Sequence, residues 1–376
     1  MTVFPRMPEA PAGASSSAAP AVASSRFTSP GAAPGADLPP PARLLPVPMG
    51  VVLVLLATTP FWLARVGLYP YLALEVMIWM LFALGYNLML GTTGLPSFGH
   101  GAFFGVGAYA FGLLQQKVLA NLWFDLAGAV LVTTVLAAAV AACIAHKRGI
   151  YFALLTIAFG QVFWFVAVKW HRVTGGEDGL LNIVRPVLDL GVARVDLKGN
   201  QALFYFCLVV FAIVLVGLWR LVNSPFGRVL SAIRQNELRA AYIGYPVWLC
   251  KWASITIASA VAGLAGALFA LAQQSAYPNV MSLHSSGFVV MMVLIGGGLV
   301  SFWGPLIGAV FFILARDVLG ATTETWLLWY GLLFVAMVLV KPEGIAGMWQ
   351  AGMARWRARS APALPLDARG AAHGPL

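Results

Sequence analysis

Charge is scarce in this sequence. Only 10% of its 376 residues are Asp, Glu, Lys or Arg, while 60% are hydrophobic. An ordinary soluble domain carries about 25% charged residues, and a soluble fold this apolar has too little polar surface to cover the rest. Cysteine is scarcer still. Cys143, Cys207 and Cys250 stand far apart, with neither zinc-ligand spacing nor a disulfide framework, and they read as small buried apolar residues. No Gly-x-x-x-x-Gly-Lys-Ser/Thr phosphate loop occurs, which excludes ATP binding by that device. His-Glu-x-x-His, paired-cysteine and Gly-x-Ser-x-Gly patterns are absent too, and no two carboxylates sit together within an apolar run. An enzymatic reading therefore has no residues to carry it.

What the sequence does have is long apolar runs. They fall at about 49–66, 71–90, 98–116, 121–145, 151–171, 202–222, 251–274, 285–300, 304–320 and 326–341, with the charged residues between them. Most approach the ~20 residues that span ~30 Å of hydrocarbon. The expected fold is an all-α integral membrane protein, a polytopic bundle of about ten transmembrane helices (range roughly 8–11) with disordered termini. The short runs 285–300 and 326–341 are expected to be tilted, re-entrant or extended at their ends. Residues 1–45 are rich in Pro, Ala and Ser and read as a disordered tail, with no compact apolar core behind a basic start that would make a secretory signal. The membrane domain runs over 46–348, and 349–376 reads as a polar cytoplasmic tail.

The net charge of +10 has a simple explanation in such a chain, since basic residues flank spans and set orientation. No aromatic-interleaved basic stripe argues for nucleic acid, so lipid is the expected surroundings and nucleic acid is not an expected partner. With the amino terminus cytoplasmic, ten spans bring the carboxyl terminus back to the same side. That arrangement puts twelve basic residues near inner span ends against eight outside. It places loop 172–200 outside and loop 223–250 inside.

The inner loop has a pattern of its own. Ser224 can cap a helix and Pro225 suits its first position. Phe226, Val229, Leu230, Ile233 and Leu238 then give an apolar face opposite Arg228, Arg234 and Arg239, and Gly244 followed by Pro246 ends it. The expectation is one short amphipathic helix over 225–243. It serves either as an interfacial helix on lipid headgroups or as a docking element for a cytoplasmic partner.

Glu237-Leu238-Arg239-Ala240-Ala241 followed by Gly244 resembles the coupling motif of importer-type ABC permeases. The wider stretch from Ser224-Pro225-Phe226-Gly227-Arg228 to Ala262-Gly263-Leu264-Ala265-Gly266-Ala267-Leu268 resembles the permeases of branched-chain amino-acid uptake systems. Four further stretches agree in order: Asn87–Leu95 with Ser97–Gly105, Arg148–Thr156, Thr174–Leu180, and Gly296-Gly297-Gly298 with Trp303–Ala309. The Arg148–Thr156 stretch and the longer amino-terminal part are similar to the LivM-type subunit rather than its shorter LivH-type partner. The likeness covers about 50–348. Pro96 departs from it, because the family carries a small or apolar residue there, and the first 45 residues have no counterpart in it.

The resemblance implies a membrane permease subunit in a plasma (bacterial inner) membrane. Its implied partners are a second, LivH-type permease subunit, two cytoplasmic ATP-binding subunits and an external solute-binding protein. No cofactor is expected on this chain, with ATP and Mg held by the partner subunits. The implied coupling residues are Arg228, Glu237, Ala240, Ala241 and Gly244, where small Ala lets two surfaces approach and Gly244 allows a sharp exit. Gly175, Gly176, Glu177 and Asp178 on the exterior loop read either as an ordinary solvated loop or as a contact for the external binding protein. Leu, Ile and Val are the default substrates, with urea, amides, other amino acids and aromatic acids as alternatives.

A substrate path is sought where the chain breaks. Gly91, Gly94 and Pro96 interrupt the helix, and Ser97 is expected to cap the next one. Free N–H groups at such a start suit a substrate carboxylate. Asn87, Gly94, Ser97 and His100 are the candidates, with Glu75, Gln161 and Asn182 behind them, although an ordinary tight turn and a packed histidine explain the same residues. Gly298-Leu299-Val300-Ser301-Phe302 matches Gly94-Leu95-Pro96-Ser97-Phe98 at four of five positions, through an internal repeat or shared capping chemistry. Gly101, Gly105, Gly107, Gly112, Gly263 and Gly266 are expected to pack helices closely. The competing class is a secondary transporter or channel, for which the spans offer few acids; a membrane-embedded enzyme stands behind it.

Overall fold

Lipid offers no hydrogen-bond partners, so each apolar run satisfies its own backbone as helix. A computed structural model of the chain describes residues 47–63, 69–118, 121–189, 194–297, 301–322, 324–340 and 344–346. Both tails, and Gly298, Leu299 and Val300 of the repeated pattern, lie outside the described residues. In chain order the helices are α1 (Val47–Leu63), α2 (Pro70–Asn87), α3 (His100–Lys117), α4 (Leu122–Ile144), α5 (Gly149–Lys169) and α6 (His171–Thr174). A hairpin of β1 (Val187–Asp189) and β2 (Arg194–Asp196) follows, antiparallel with Leu188 opposite Val195. Then come α7 (Asn200–Val222), α8 (Pro225–Gln235), α9 (Glu237–Tyr242), α10 (Val247–Gln273), α11 (Leu283–Gly297), α12 (Gly304–Thr322) and α13 (Trp326–Val340).

Over their described residues the ten apolar runs fall on helices, and the chain is a polytopic helical membrane protein. Among the described residues six helices are long and apolar enough to cross a membrane unaided, while α1, α11 and α13 are shorter apolar helices. Burial separates centre from periphery. The α2 span is 94% buried and the α10 span 78%, against 28% for α5 and 33% for α4. The buried helices form the middle of the bundle, and α4 and α5 each show a broad face to whatever surrounds it.

Glycine sets how closely the middle packs. A Cβ built on Gly107 of α3 would lie 2.1 Å from the Gly263 carbonyl oxygen of α10. One built on Gly266 would lie 1.8 Å from the Phe104 carbonyl oxygen, and one on Gly308 of α12 1.8 Å from that of Met292 in α11. These helices touch backbone to backbone. The glycines of α3 do not share one partner, however. Gly101 and Gly105 face Val280, Met281 and Ser286, and Gly112 faces Leu180 and Ile183.

The same contacts explain why α11 is short. Ala276, just past α10, pairs with Leu180 of loop 172–200 in both directions, at 2.8 and 2.9 Å. Yet Met281, five residues on, fills the space beside Gly105. Gly105 lies ten residues along α3 from Gln115, which binds that same loop, about 15 Å of helix rise. The chain therefore turns back into the bundle as a single 3-10 turn (Pro278–Met281), and α11 starts inside it.

Among the described residues one ion pair lies between spans. Arg316 of α12 meets Glu75 of α2 at 2.8 Å, with the Glu75 side chain 9% and the Arg316 side chain 28% exposed. This engages Glu75 in holding helices together. Losing one partner leaves the other charge stranded, so Glu75→Ala is expected to cost about 3 kcal/mol, the low end for buried pairs because Arg316 keeps some exposure. The melting temperature in detergent checks this, and an unchanged value would remove the pair from the account of stability.

Candidate functional site

The loop between α7 and α10 is two helices, not the single helix expected over 225–243. Ser224 does cap the first, its hydroxyl accepting from the Gly227 N–H at 3.4 Å, with Pro225 behind it. The break is at Asn236. Its backbone is extended (φ −158°, ψ 103°) and its side chain accepts from the Arg239 N–H at 2.9 Å, which caps α9. An Asn side chain competes with helical hydrogen bonding and favours such a start.

The faces also differ from the expectation. Leu230 and Ile233 are buried as expected, but Leu238 is 54% exposed. Arg234 does not join Arg228 and Arg239 on the exposed side. It reaches under α8 and donates to the Gly91 carbonyl, in the π-turn Leu88–Thr92 that ends α2. Desolvation holds its guanidinium below the usual value, yet an arginine stays charged, and the Gly91 oxygen receives a charge-assisted donor. Gly94, at φ +76°, leaves room for this side chain, since a Cβ there would stand 2.8 Å from Arg234 Cγ. Arg228 and Ala241 are exposed and Ala240 is buried. Tyr242 is 87% and Ile243 69% exposed, so α9 ends in an apolar tip. Gly244 turns the chain away at φ +96° with open space around its Cβ position.

Glu237 faces inward. Its carboxylate meets Arg148 Nε at 3.1 Å and Lys251 Nζ at 3.3 Å. Lys251 also donates to the Lys147 carbonyl at 2.6 Å. Neither Arg148 nor Lys251 stands out in the sequence except as a basic residue flanking a span. The lone acid in the basic run from Arg220 to Lys251 was the available signal that a pairing occurs there.

The break after α2 is held by side chains from elsewhere. The Ser97 N–H donates to the Tyr86 hydroxyl at 3.2 Å, the Phe98 N–H to Thr156 Oγ1 at 3.1 Å, and the Gly101 N–H to Ser286 Oγ at 2.9 Å. Ser97 is buried but does not cap α3, whose cap position is Gly99 with no side-chain acceptor. The bulk needed to close this turn comes from α5 and α11, so local capping is unnecessary. His100 is fully buried and stacks on Phe82, with Tyr86 and Phe103 beside it. Asn87 is buried over Gly91. The four path candidates thus gather at one level, where α2 ends and α3 begins. Gln161 lies apart, on the exposed face of α5.

The family model described as branched-chain amino acid transport system / permease component matches residues 69–340, from the first residue before α2 to the end of α13. The chain belongs to this permease family. Relatives include the high-affinity branched-chain amino acid transport system permease protein LivM of Salmonella typhimurium, 29% identical over 316 residues, which are 79% of this chain and 74% of that protein. The protein of the same name from Escherichia coli gives the same identity and shares. The probable branched-chain amino acid transport permease protein LivM of Methanocaldococcus jannaschii is 26% identical over 317 residues, 72% of this chain and 92% of that protein. No solved structure matches the chain.

At the opposite end of α7 from the α8–α9 loop, this permease carries the Gly-rich loop 172–200. Glu177 and Asp178 are exposed on a 3-10 turn (Gly176–Asp178). Gly175 and Gly176 are tight against Gly179 and His171, with built Cβ distances of 2.0 Å to the Gly179 carbonyl oxygen and to His171 Nδ1. Gln115 clamps Val184 through both its N–H and carbonyl at 2.9 and 2.8 Å, and Arg185 donates to the Ala272 carbonyl at 2.8 Å. The permease therefore presents two acids on a loop that α3 and α10 hold rigid.

Proposed function

We propose that this permease is the membrane-spanning subunit of an ATP-driven importer that carries Leu, Ile or Val across the plasma membrane. It works with a second permease subunit, two cytoplasmic ATP-binding subunits and an external solute-binding protein. ATP and Mg act on the ATP-binding subunits. The observation that carries this reading is the α8–α9 loop: an apolar tip at Leu238, Tyr242 and Ile243, projecting from one end of the bundle and anchored to it by Arg234 and Glu237. An exposed apolar patch outside the spans favours a protein partner. The excess of basic residues at that end supports a cytoplasmic orientation, with both termini inside. The substrate follows from the family and from the names of the relatives.

In this reading closure of the ATP-binding pair pushes on α9, and the bundle alternates between outward-open and inward-open states. The exposed face of α5, with a groove of about 590 Å³ lined by Lys147, Tyr151, Leu154, Leu155 and Ala158, suits contact with the second permease subunit. Copurification tests the assembly directly: the tagged permease should bring down ATP-binding subunits, and a permease that comes down alone would favour a secondary transporter. At the other end Glu177 and Asp178 receive the binding protein. A Glu177→Ala/Asp178→Ala double variant should assemble normally and lose binding-protein stimulation of ATP hydrolysis on the order of ten-fold, equivalent to ~1.4 kcal/mol of contact. Unchanged stimulation would remove these acids from that role.

A further inference from the structure

Glu237 stands between two helices that differ in how much of each the bundle covers. Lys251 belongs to α10, whose span is 78% buried, and its own side chain is 0% exposed. Arg148 immediately precedes α5, whose span is only 28% buried, and its side chain is 52% exposed. The next residue, Gly149, has φ +53° and open space where a Cβ would lie. The start of α5 thus turns at a glycine whose Cβ position is unpacked. The carboxylate of Glu237 takes one oxygen to each side, 3.3 Å to Lys251 and 3.1 Å to Arg148. Lys251 extends the cluster to the Lys147 carbonyl in the turn between α4 and α5.

We infer that Glu237 is a positioning residue, a clasp through which movement of α9 is passed to the start of α5 by way of Arg148, with Lys251 as the fixed side. The inference rests on the permease reading above and adds to it the residue that transmits motion and the helix that receives it. Glu237 is turned into the permease with its side chain 19% exposed, so it does not form the surface offered to an ATP-binding subunit. That surface is the apolar tip beyond it. Displacement of α9 draws on an ion pair whose other end is the start of α5, while the buried ammonium of Lys251 keeps the carboxylate in register.

The test uses the complete complex in proteoliposomes with the solute-binding protein and radiolabelled leucine. Glu237→Gln and Arg148→Ala should each copurify with ATP-binding subunits in the normal ratio and keep stimulated ATP hydrolysis within about two-fold. Leucine taken up per ATP should fall on the order of ten-fold in each. The double variant should be no worse than the worse single one, because both remove one link. Arg148→Lys should recover much of the uptake, which a merely structural role for Arg148 would not require. Glu237→Gln strands Lys251; if that variant fails to fold, Arg148→Ala reads the same link with the Glu237–Lys251 pair intact. Loss of copurification in Glu237→Gln but not in Arg148→Ala would overturn the inference by making Glu237 an ATP-binding-subunit contact. Unchanged uptake per ATP in Arg148→Ala would overturn it too. If the unaltered permease brings down no ATP-binding subunit, the parent reading falls and the clasp with it.

Discussion

Gly107→Leu is expected to remove folded permease from the membrane. The Cβ alone would lie 2.1 Å from the Gly263 carbonyl oxygen, 2.5 Å from its Cα and 2.6 Å from its carbonyl carbon. All three are backbone atoms of α10, so no side chain can swing aside. Gly263 is itself pressed on the other side by Thr133 of α4, with a built Cβ 2.5 Å from Oγ1. Moving α10 away from α3 therefore disturbs α4 as well. Overpacking in a core ordinarily costs 1–3 kcal/mol, and a clash with the α10 backbone, itself pressed by the Thr133 side chain, belongs at about 3 kcal/mol. The comparison is Gly217→Leu on α7, where a Cβ meets nothing within 4 Å and a better helix former replaces glycine. Recovery of monodisperse protein from detergent should collapse for the first and hold for the second. Equal recovery would mean that the contact between α3 and α10 is not tight.

Gly244→Leu should do the reverse, sparing the fold and removing the work. Its Cβ meets open space, so no neighbour is displaced. The backbone at φ +96° is the difficulty, because a side chain there costs about 1–2 kcal/mol. The loop relieves that strain by changing how the chain leaves α9. The Gly244 N–H donates to the Ala241 carbonyl at 3.0 Å and the Tyr245 N–H to that of Ala240 at 3.2 Å, and these bonds fix the direction of the tip. A shifted exit moves Tyr242 and Ile243 off their line while every span stays packed. Expression and insertion should stay within about two-fold, and ATP-driven uptake should fall on the order of ten- to a hundred-fold. Uptake and ATP hydrolysis measured together check this; normal ATP-driven uptake in the variant would refute the coupling assignment.

These two glycines show what can be read from sequence and what cannot. Gly244 followed by Pro246 marks a turn locally, and its left-handed backbone was foreseeable from neighbours alone. Gly107 reads only as one small residue among several on α3. That it meets Gly263, while Gly105 meets Met281 and Gly112 meets Leu180 and Ile183, depends on three different parts of the chain. The loop between α7 and α10 divides the same way. Ser224 and Pro225 announced α8. Asn236 carried the signal for α9 too, but a continuous apolar repeat through Leu238 concealed it. The inward turn of Arg234 was not legible, because its acceptor is a backbone carbonyl 143 residues away, in the π-turn that ends α2.

The sequence by itself determined that this protein crosses the membrane, where its helices lie and in what order, and which loop resembles a coupling element. A span in lipid must satisfy its own backbone, so its existence is a property of some twenty consecutive residues. The tertiary structure decided which faces are buried, that α11 starts inside the bundle, and that Glu237 joins Arg148 to Lys251. Those outcomes depend on pairs such as Gly101 with Ser286, 185 residues apart, and Arg316 with Glu75, 241 apart. No local pattern encodes such pairings; close packing of backbones and the cost of an unpaired charge in an apolar bundle select them once the helices assemble.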